Sequence, residues 1–173
     1  MKKIAFLLDT DFEQAEYEDV NNQLKAKGYE TTLITTSDDK QVQGMQHSDK
    51  ADTFTADLFA NEAQAADYDA IVLPGGTINA DTLRGKYIAH QLIKAFNDAG
   101  KPVAAICHAP WVFINMDIAK GKTLTAYESL QTDLENAGAT FVDKAVQQDG
   151  NIITSRTPDD ITDFVAAIDK ALT

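Results

Sequence analysis

Cys107 is the only cysteine in the 173-residue chain, and it stands directly before His108 at the end of the apolar run Val103 to Ile106. A thiol beside an imidazole is a candidate nucleophile with its general base. Pro110 marks the start of a helix, since proline is favoured in a first turn, so Cys107 falls at a strand-to-helix junction. Backbone N–H groups and the helix dipole at such a bend would draw a thiol pKa from about 8.5 toward roughly 3.5–7.5. The competing reading is an inert core cysteine. His108 serves Cys107 only if the chain turns there, because consecutive side chains of a strand face opposite ways. His47 and His90 read as surface residues of a loop and a helix.

Two further segments carry chemistry. Gly75-Gly76, after Leu73-Pro74, leaves a backbone N–H free to approach a carbonyl oxygen; with the His108 N–H it could form an oxyanion hole, or it is only a tight turn. Glu13 and Glu16 lie three apart at a helix start and so share a face. The acidic cluster from Asp9 to Asp19 reads mostly as solvated first-turn carboxylates. One of them could reach the cysteine, and a carboxylate beside a thiolate would take up a proton and donate a hydrogen bond to sulfur.

These groups need a scaffold that brings strand ends together. Short aliphatic runs alternate with segments of helical period, the pattern of a parallel sheet with helices on both faces. Lys3 to Leu8, Thr32 to Thr35, Ala70 to Leu73 and Val103 to Ile106 read as buried strands, with weaker candidates at Thr123 to Ala126 and Asn151 to Thr154 nearer an edge. Helices are expected over Glu13 to Lys27, Ile88 to Ala99, Ser129 to Ala137 and from Ile161 to the end. Ser37 to Ala66 reads as a loop or small hairpin with a short helix near its end. Ligands in such sheets sit beyond the carboxyl ends of the strands, where Asp9 to Glu16, Pro74 to Gly76 and Cys107 to Pro110 converge. The first and fourth strands are expected to be neighbours near the sheet centre.

Composition narrows the partners. The length suits one domain, residues 1–173. A net charge of −12 repels a phosphate backbone and an anionic bilayer alike, so neither nucleic acid nor membrane is an expected partner. Apolar runs such as Ile4 to Leu8 reach five residues, against about 20 for a membrane span, and a cytoplasmic protein is expected. One cysteine excludes an internal disulfide, a Cys-X-X-Cys pair and a thiolate zinc cage. No phosphate-binding glycine motif is present, and no cofactor or metal is expected.

A series of segments spans nearly the whole chain: Asp11-Phe12-Glu13 with Glu16, Tyr68-Asp69-Ala70 leading to Leu73-Pro74-Gly75-Gly76, Leu83-Arg84-Gly85, Gly100-Lys101-Pro102-Val103, Ala105-Ile106-Cys107-His108, Asn136-Ala137-Gly138-Ala139, and Thr154 to Asp160. In this order they resemble the PfpI family of intracellular cysteine proteases and its deglycase relatives, within the class I glutamine-amidotransferase-like superfamily. The resemblance implies a three-layer α/β/α sandwich with a flavodoxin-like, mostly parallel sheet and a nucleophile elbow at Cys107. It makes His108 the imidazole partner, Glu16 the acid against the sulfur, and Gly76 with the His108 amide the oxyanion hole. Gly75, Glu13 and Arg156 fall among the binding residues. A third acid from a neighbouring subunit corresponds to Asp81, which implies a homodimer or higher oligomer with the site near its interface.

Three features depart from the family pattern: Ala109 where glycine is usual, Trp111 where glutamine is, and the stretch Thr77 to Thr82, one residue longer than usual and without the family's proline. A methyl group at 109 is costly if that residue needs positive φ, and Trp111 is expected to re-line the pocket. The function implied is a cofactor-independent cysteine hydrolase or lyase of glyoxalase III, deglycase or peptidase type, acting on small carbonyls or peptide amides. The alternative is a redox-sensing, chaperone-like stress protein in which Cys107 is oxidised to a sulfinate held by Glu16. A third possibility is a non-catalytic binding module.

Overall fold

The computed structural model describes residues 1–173. From β1 (Lys3–Leu8) the chain passes through the short β2 (Phe12–Glu13) into α1 (Gln14–Ala26) and returns as β3 (Glu30–Thr35). The expected hairpin follows as β4 (Gln41–Gln46) and β5 (Asp49–Thr55), then β6 (Leu58–Phe59). After β7 (Ala70–Leu73) come α2 (Thr77–Arg84), α3 (Tyr87–Asp98), β8 (Val103–Ile106) and the one-turn α4 (Trp111–Asn115). The remainder is β9 (Thr123–Leu124), α5 (Gln131–Asn136), β10 (Thr140–Phe141), β11 (Val146–Asp149), β12 (Ile152–Ser155) and α6 (Ile161–Leu172).

Seven strands form one sheet in the order β11-β12-β8-β7-β1-β3-β6, parallel throughout except the β11–β12 pair. Side chains of a strand alternate between faces, and here each face gathers its own core. Ile4, Phe6, Leu8, Val72 and Ile106 pack with Val20 and Leu24 of α1 and Phe164, Val165 and Ile168 of α6. Ala5, Leu7, Ile71, Leu73 and Ala105 pack with Leu92, Ile93 and Phe96 of α3 and Val112 and Phe113 of α4. The result is the three-layer α/β/α sandwich. The central strands are buried on both faces, which is why they read as unbroken apolar runs.

Four features differ from the sequence reading. The first and fourth strands are not neighbours, because β7 stands between β1 and β8. Thr77 to Arg84, where the sequence reading places no element, is the helix α2. The candidate at Thr123 pairs with β10 in a separate two-stranded sheet. The polar β11 was invisible to an apolar pattern, yet it covers β12 and leaves that strand one place in from the edge.

Beyond the end of β1, Asp9 is 4% exposed and charged. Its carboxylate accepts from Lys86 Nζ at 2.7 Å, the Thr36 hydroxyl at 2.6 Å and the Thr10 N–H at 2.8 Å. Lys86, the N-cap of α3, also donates to the Thr36 carbonyl, tying β1, β3 and α3 together. Lys86→Met removes the only cation facing this carboxylate. It is expected to cost about 2 kcal/mol in urea unfolding, below the roughly 3–5 kcal/mol of a fully buried pair because Lys86 is one-third exposed. An unchanged midpoint would show that the hydroxyl and amide suffice.

Candidate active site

The parallel strands β7 and β8 end level, Leu73 opposite Ala105, so the turns that follow them meet. One residue beyond β8, Cys107 takes φ +63°, a left-handed conformation costing roughly 1–2 kcal/mol for a residue with a Cβ. Hydrogen bonds on both sides hold it: its N–H donates to the Ser155 carbonyl at 3.0 Å and its carbonyl accepts the Tyr127 N–H at 2.8 Å. This is the turn that the catalytic reading of His108 required. The imidazole Nδ1 lies 3.3 Å from Cys107 Sγ. The ring stacks on Tyr127, with centroids 4.6 Å apart and planes at 24°, and Nε2 lies 3.4 Å from the Thr77 hydroxyl oxygen. Burial lowers the His108 pKa, so the ring is neutral near pH 7 and free to accept a proton.

Glu16 reaches the sulfur from the first turn of α1, across the end of β7, because Gly75 has no side chain. A Cβ at Gly75 would overlap Glu16 Oε1 and come within 2.7 Å of the Ile106 carbonyl and 2.9 Å of Cys107 Cβ. Instead the Gly75 N–H donates to Glu16 Oε1 at 3.0 Å. The other oxygen, Oε2, is sealed from solvent with no hydrogen-bond partner, and the carboxyl group interacts with the Cys107 thiol. Burial, then the nearby Glu13 charge, raise the Glu16 pKa from 4.5 to about 8, against the hydrogen bonds from Cys107 and Gly75. Of the acids considered from sequence, Glu16 is the one that meets Cys107.

The expected fall in the thiol pKa is reversed. Burial, followed by the charge of Glu16 whenever that carboxyl is ionised, pushes the Cys107 thiol up, and the backbone N–H of His108 draws it down. α4 is a single turn and starts only after Pro110, so little dipole is aligned on Sγ. Sulfur and carboxyl therefore titrate as a coupled pair.

A cavity of about 920 Å³ opens over Cys107, His108, Glu16 and Gly76. Gly76 has φ +93° and its N–H has no acceptor within the chain; a side chain there would strike the Glu13 amide. Glu13 lines the same cavity, and its carboxylate accepts the His47 N–H at the tip of the β4–β5 hairpin. His47 is exposed, as expected of a loop residue, yet it too borders the cavity. Thr77, Tyr127 and His47 were not found from sequence; no local pattern marks them, since the fold brings the first two to His108 from 31 and 19 residues away. His90 lies elsewhere, its Nε2 2.9 Å from the Arg84 carbonyl.

Two expected binding residues lie outside. The Arg156 guanidinium is held by Asp143 and Asp160, and Trp111 donates its indole N–H to Asp133 at 2.9 Å with Arg84 stacked 4.6 Å over its ring. Neither lines the cavity. Asp81 is exposed on α2 and is also absent from this chain's cavity wall. No group of three or more His, Cys, Asp or Glu side chains is arranged to hold a metal ion, and no helix is long and apolar enough to cross a membrane.

Residues 2–171 match the sequence model of the DJ-1/PfpI family. The chain belongs to that family. It is 40% identical over 173 residues to an uncharacterized protein of Staphylococcus aureus strain Mu50, covering 99% of this chain and 98% of that one. It is also 40% identical over 163 residues to YraA of Bacillus subtilis, which carries the provisional name of a cysteine protease; 94% of each chain is covered. Among solved structures, a two-domain protein from Anabaena variabilis with DJ-1/ThiJ/PfpI-like and ferritin-like domains superposes with a TM-score of 0.92 at 34% identity. The match covers 99% of this chain and 48% of that one, so this chain spans about half of the Anabaena protein. Drosophila melanogaster DJ-1beta gives a TM-score of 0.87 at 29% identity, covering 99% and 90%. For a DJ-1/PfpI protein the Ala109 substitution brings no backbone strain: residue 109 is fully buried without positive φ, and the left-handed residue of the elbow is Cys107 itself.

Proposed function

We propose that this DJ-1/PfpI protein is a cofactor-independent cysteine enzyme acting on small reactive carbonyls, with peptide amides as the second substrate class. The observation that carries the proposal is Cys107 Sγ at a cavity wall, on a left-handed elbow, 3.3 Å from a neutral imidazole nitrogen. Sγ adds to the carbonyl carbon, its proton passing to His108 as the C=O π pair moves to oxygen. In this reading the N–H groups of Gly76 and His108 would receive that oxygen. With a ketoaldehyde, transfer of the aldehyde hydrogen to the neighbouring carbon gives a thioester, and water releases the hydroxy acid and regenerates the thiol. With an amide, the amine leaves with the proton from His108 and water cleaves the acyl-enzyme. The name of the Bacillus relative supports the amide branch. The enclosed volume, small against a folded protein chain, supports the carbonyl branch.

The test is Cys107→Ser assayed against methylglyoxal, related dicarbonyls and fluorogenic peptides. Turnover is expected to disappear with the fold intact, and unchanged rates would overturn the proposal. The unpartnered Glu16 Oε2 favours a second reading, in which it binds a Cys107 sulfinate after peroxide treatment. A stable gain of two oxygens at Cys107 in a protein inactive on every carbonyl would favour that reading.

A further inference from the structure

The wall of the Cys107 cavity carries one sign of charge. The carboxylates of Asp11, Glu13 and Asp159 line it, with Glu16 holding its proton beneath them, and no lysine or arginine does. Asp11 and Asp159 have no ion-pair partner, and Glu13 accepts only a backbone N–H. Arg156, three residues before Asp159, is spent on Asp143 and Asp160 and offers no countercharge. The remaining basic side chains on the wall are the imidazoles of His47 and His108. At the floor, the Oε2 of Glu16 is fully buried without a hydrogen-bond partner. Walls of low dielectric focus such a field on whatever enters.

We infer that this cavity selects its substrates by charge, admitting carbonyl compounds that carry a positive group beside the reacting carbon and rejecting carboxylated or phosphorylated ones. The inference rests on the proposed role of Cys107 and names the substrate class for that same site. Asp11, near the chain's turn into β2, and Asp159, in the turn before α6, flank the cavity from two elements and make the selection specific to these residues.

Because the chain has one cysteine, thiol-modifying reagents report on this cavity alone. The probes are two methanethiosulfonates of similar size, one bearing trimethylammonium and one sulfonate, each rate normalised to the same reagent's rate with a small free thiol. The cationic reagent is expected to modify Cys107 about tenfold faster than the anionic one at low salt. Raising the salt to about 0.5 M is expected to bring the two together, since the screening length then falls below the span of the cavity. Asp11→Asn combined with Asp159→Asn is expected to narrow the ratio to about threefold. The fold tolerates both changes: asparagine suits the left-handed φ of residue 11, and Asp159 is exposed. Equal normalised rates in the unmodified protein, or a ratio unmoved by the double variant, overturn charge selection and leave Cys107 a nucleophile. Failure of both reagents to modify Cys107 overturns the nucleophile reading and this inference with it.

Discussion

Gly75→Ala is expected to slow the reaction of Cys107 with iodoacetamide about 100-fold and to lower thermal stability. The added methyl cannot be placed without moving backbone, because it meets the Ile106 carbonyl at 2.7 Å and Cys107 Cβ at 2.9 Å, and overlaps Glu16 Oε1 as well. Something has to give, and the three groups displaced are the last strand residue, the nucleophile and its acid. Overpacking of this kind costs roughly 1–3 kcal/mol in stability, whereas a shift of about 1 Å among reacting groups can cost about 100-fold in rate. Activity should therefore suffer more than folding. Gly85→Ala is the matched control: Gly85 closes α2 with φ −93°, and the nearest atom to its added methyl would be 3.7 Å away. A Gly75→Ala protein that melts lower yet reacts at the ordinary rate would show that Glu16 and Cys107 need not be held at this separation.

That dependence on Gly75 also shows where sequence reasoning stops. Strands β1, β7 and β8 were legible with their full bounds because burial on both faces leaves them apolar apart from the exposed Lys3, and Gly, Pro and Asp lie close to their ends. α6 was legible because Ile161, Phe164, Val165 and Ile168 keep a helical interval. α2 was not, since it begins at Gly76 without a capping side chain and buries only Asn79, Ala80 and Leu83. Strand order has no periodic signature at all. β7 could intervene between β1 and β8 without altering a residue of either, and the Glu16–Cys107 meeting survives only because the turn after β7 carries a glycine where a side chain would stand. Cys107, His108 and Gly76 were readable as chemistry at strand ends. The orientation of a long side chain was not: nothing in the order of residues says that Arg156 turns to Asp143 and Asp160, or Trp111 to Asp133. Nor does it reveal whether burial or a dipole dominates at the thiol, which depends on how long the following helix runs.

Glu16 should make the protein less stable as pH rises from about 4.5 to about 8. In the unfolded chain its carboxyl loses its proton near 4.5, but in the folded protein it keeps it to about 8. A folded-state pKa raised above the unfolded one contributes stability in full below pH 4.5, and that contribution is lost as pH rises through 8. The difference is on the order of 5 kcal/mol, a large part of a typical domain's stability. Glu16→Gln, neutral at every pH and still able to accept the Gly75 N–H, should lack this slope, so urea unfolding of both proteins from pH 4 to 9 isolates it. Parallel curves would mean that Glu16 is ionised inside the fold. The same proton bears on reactivity. A protonated Glu16 carboxyl can donate to the Cys107 sulfur it interacts with, and a hydrogen bond to a charged acceptor contributes about 1.5–3 kcal/mol. Glu16→Leu removes that donor and leaves burial unopposed but for the His108 N–H, so alkylation of Cys107 at pH 7 should slow about tenfold or more. Its inflection should move to higher pH, with Glu16→Gln, which keeps an N–H facing the sulfur, in between. An inflection moved lower in the leucine variant would instead identify Glu16 as a negative charge that holds the thiol in its unreactive form.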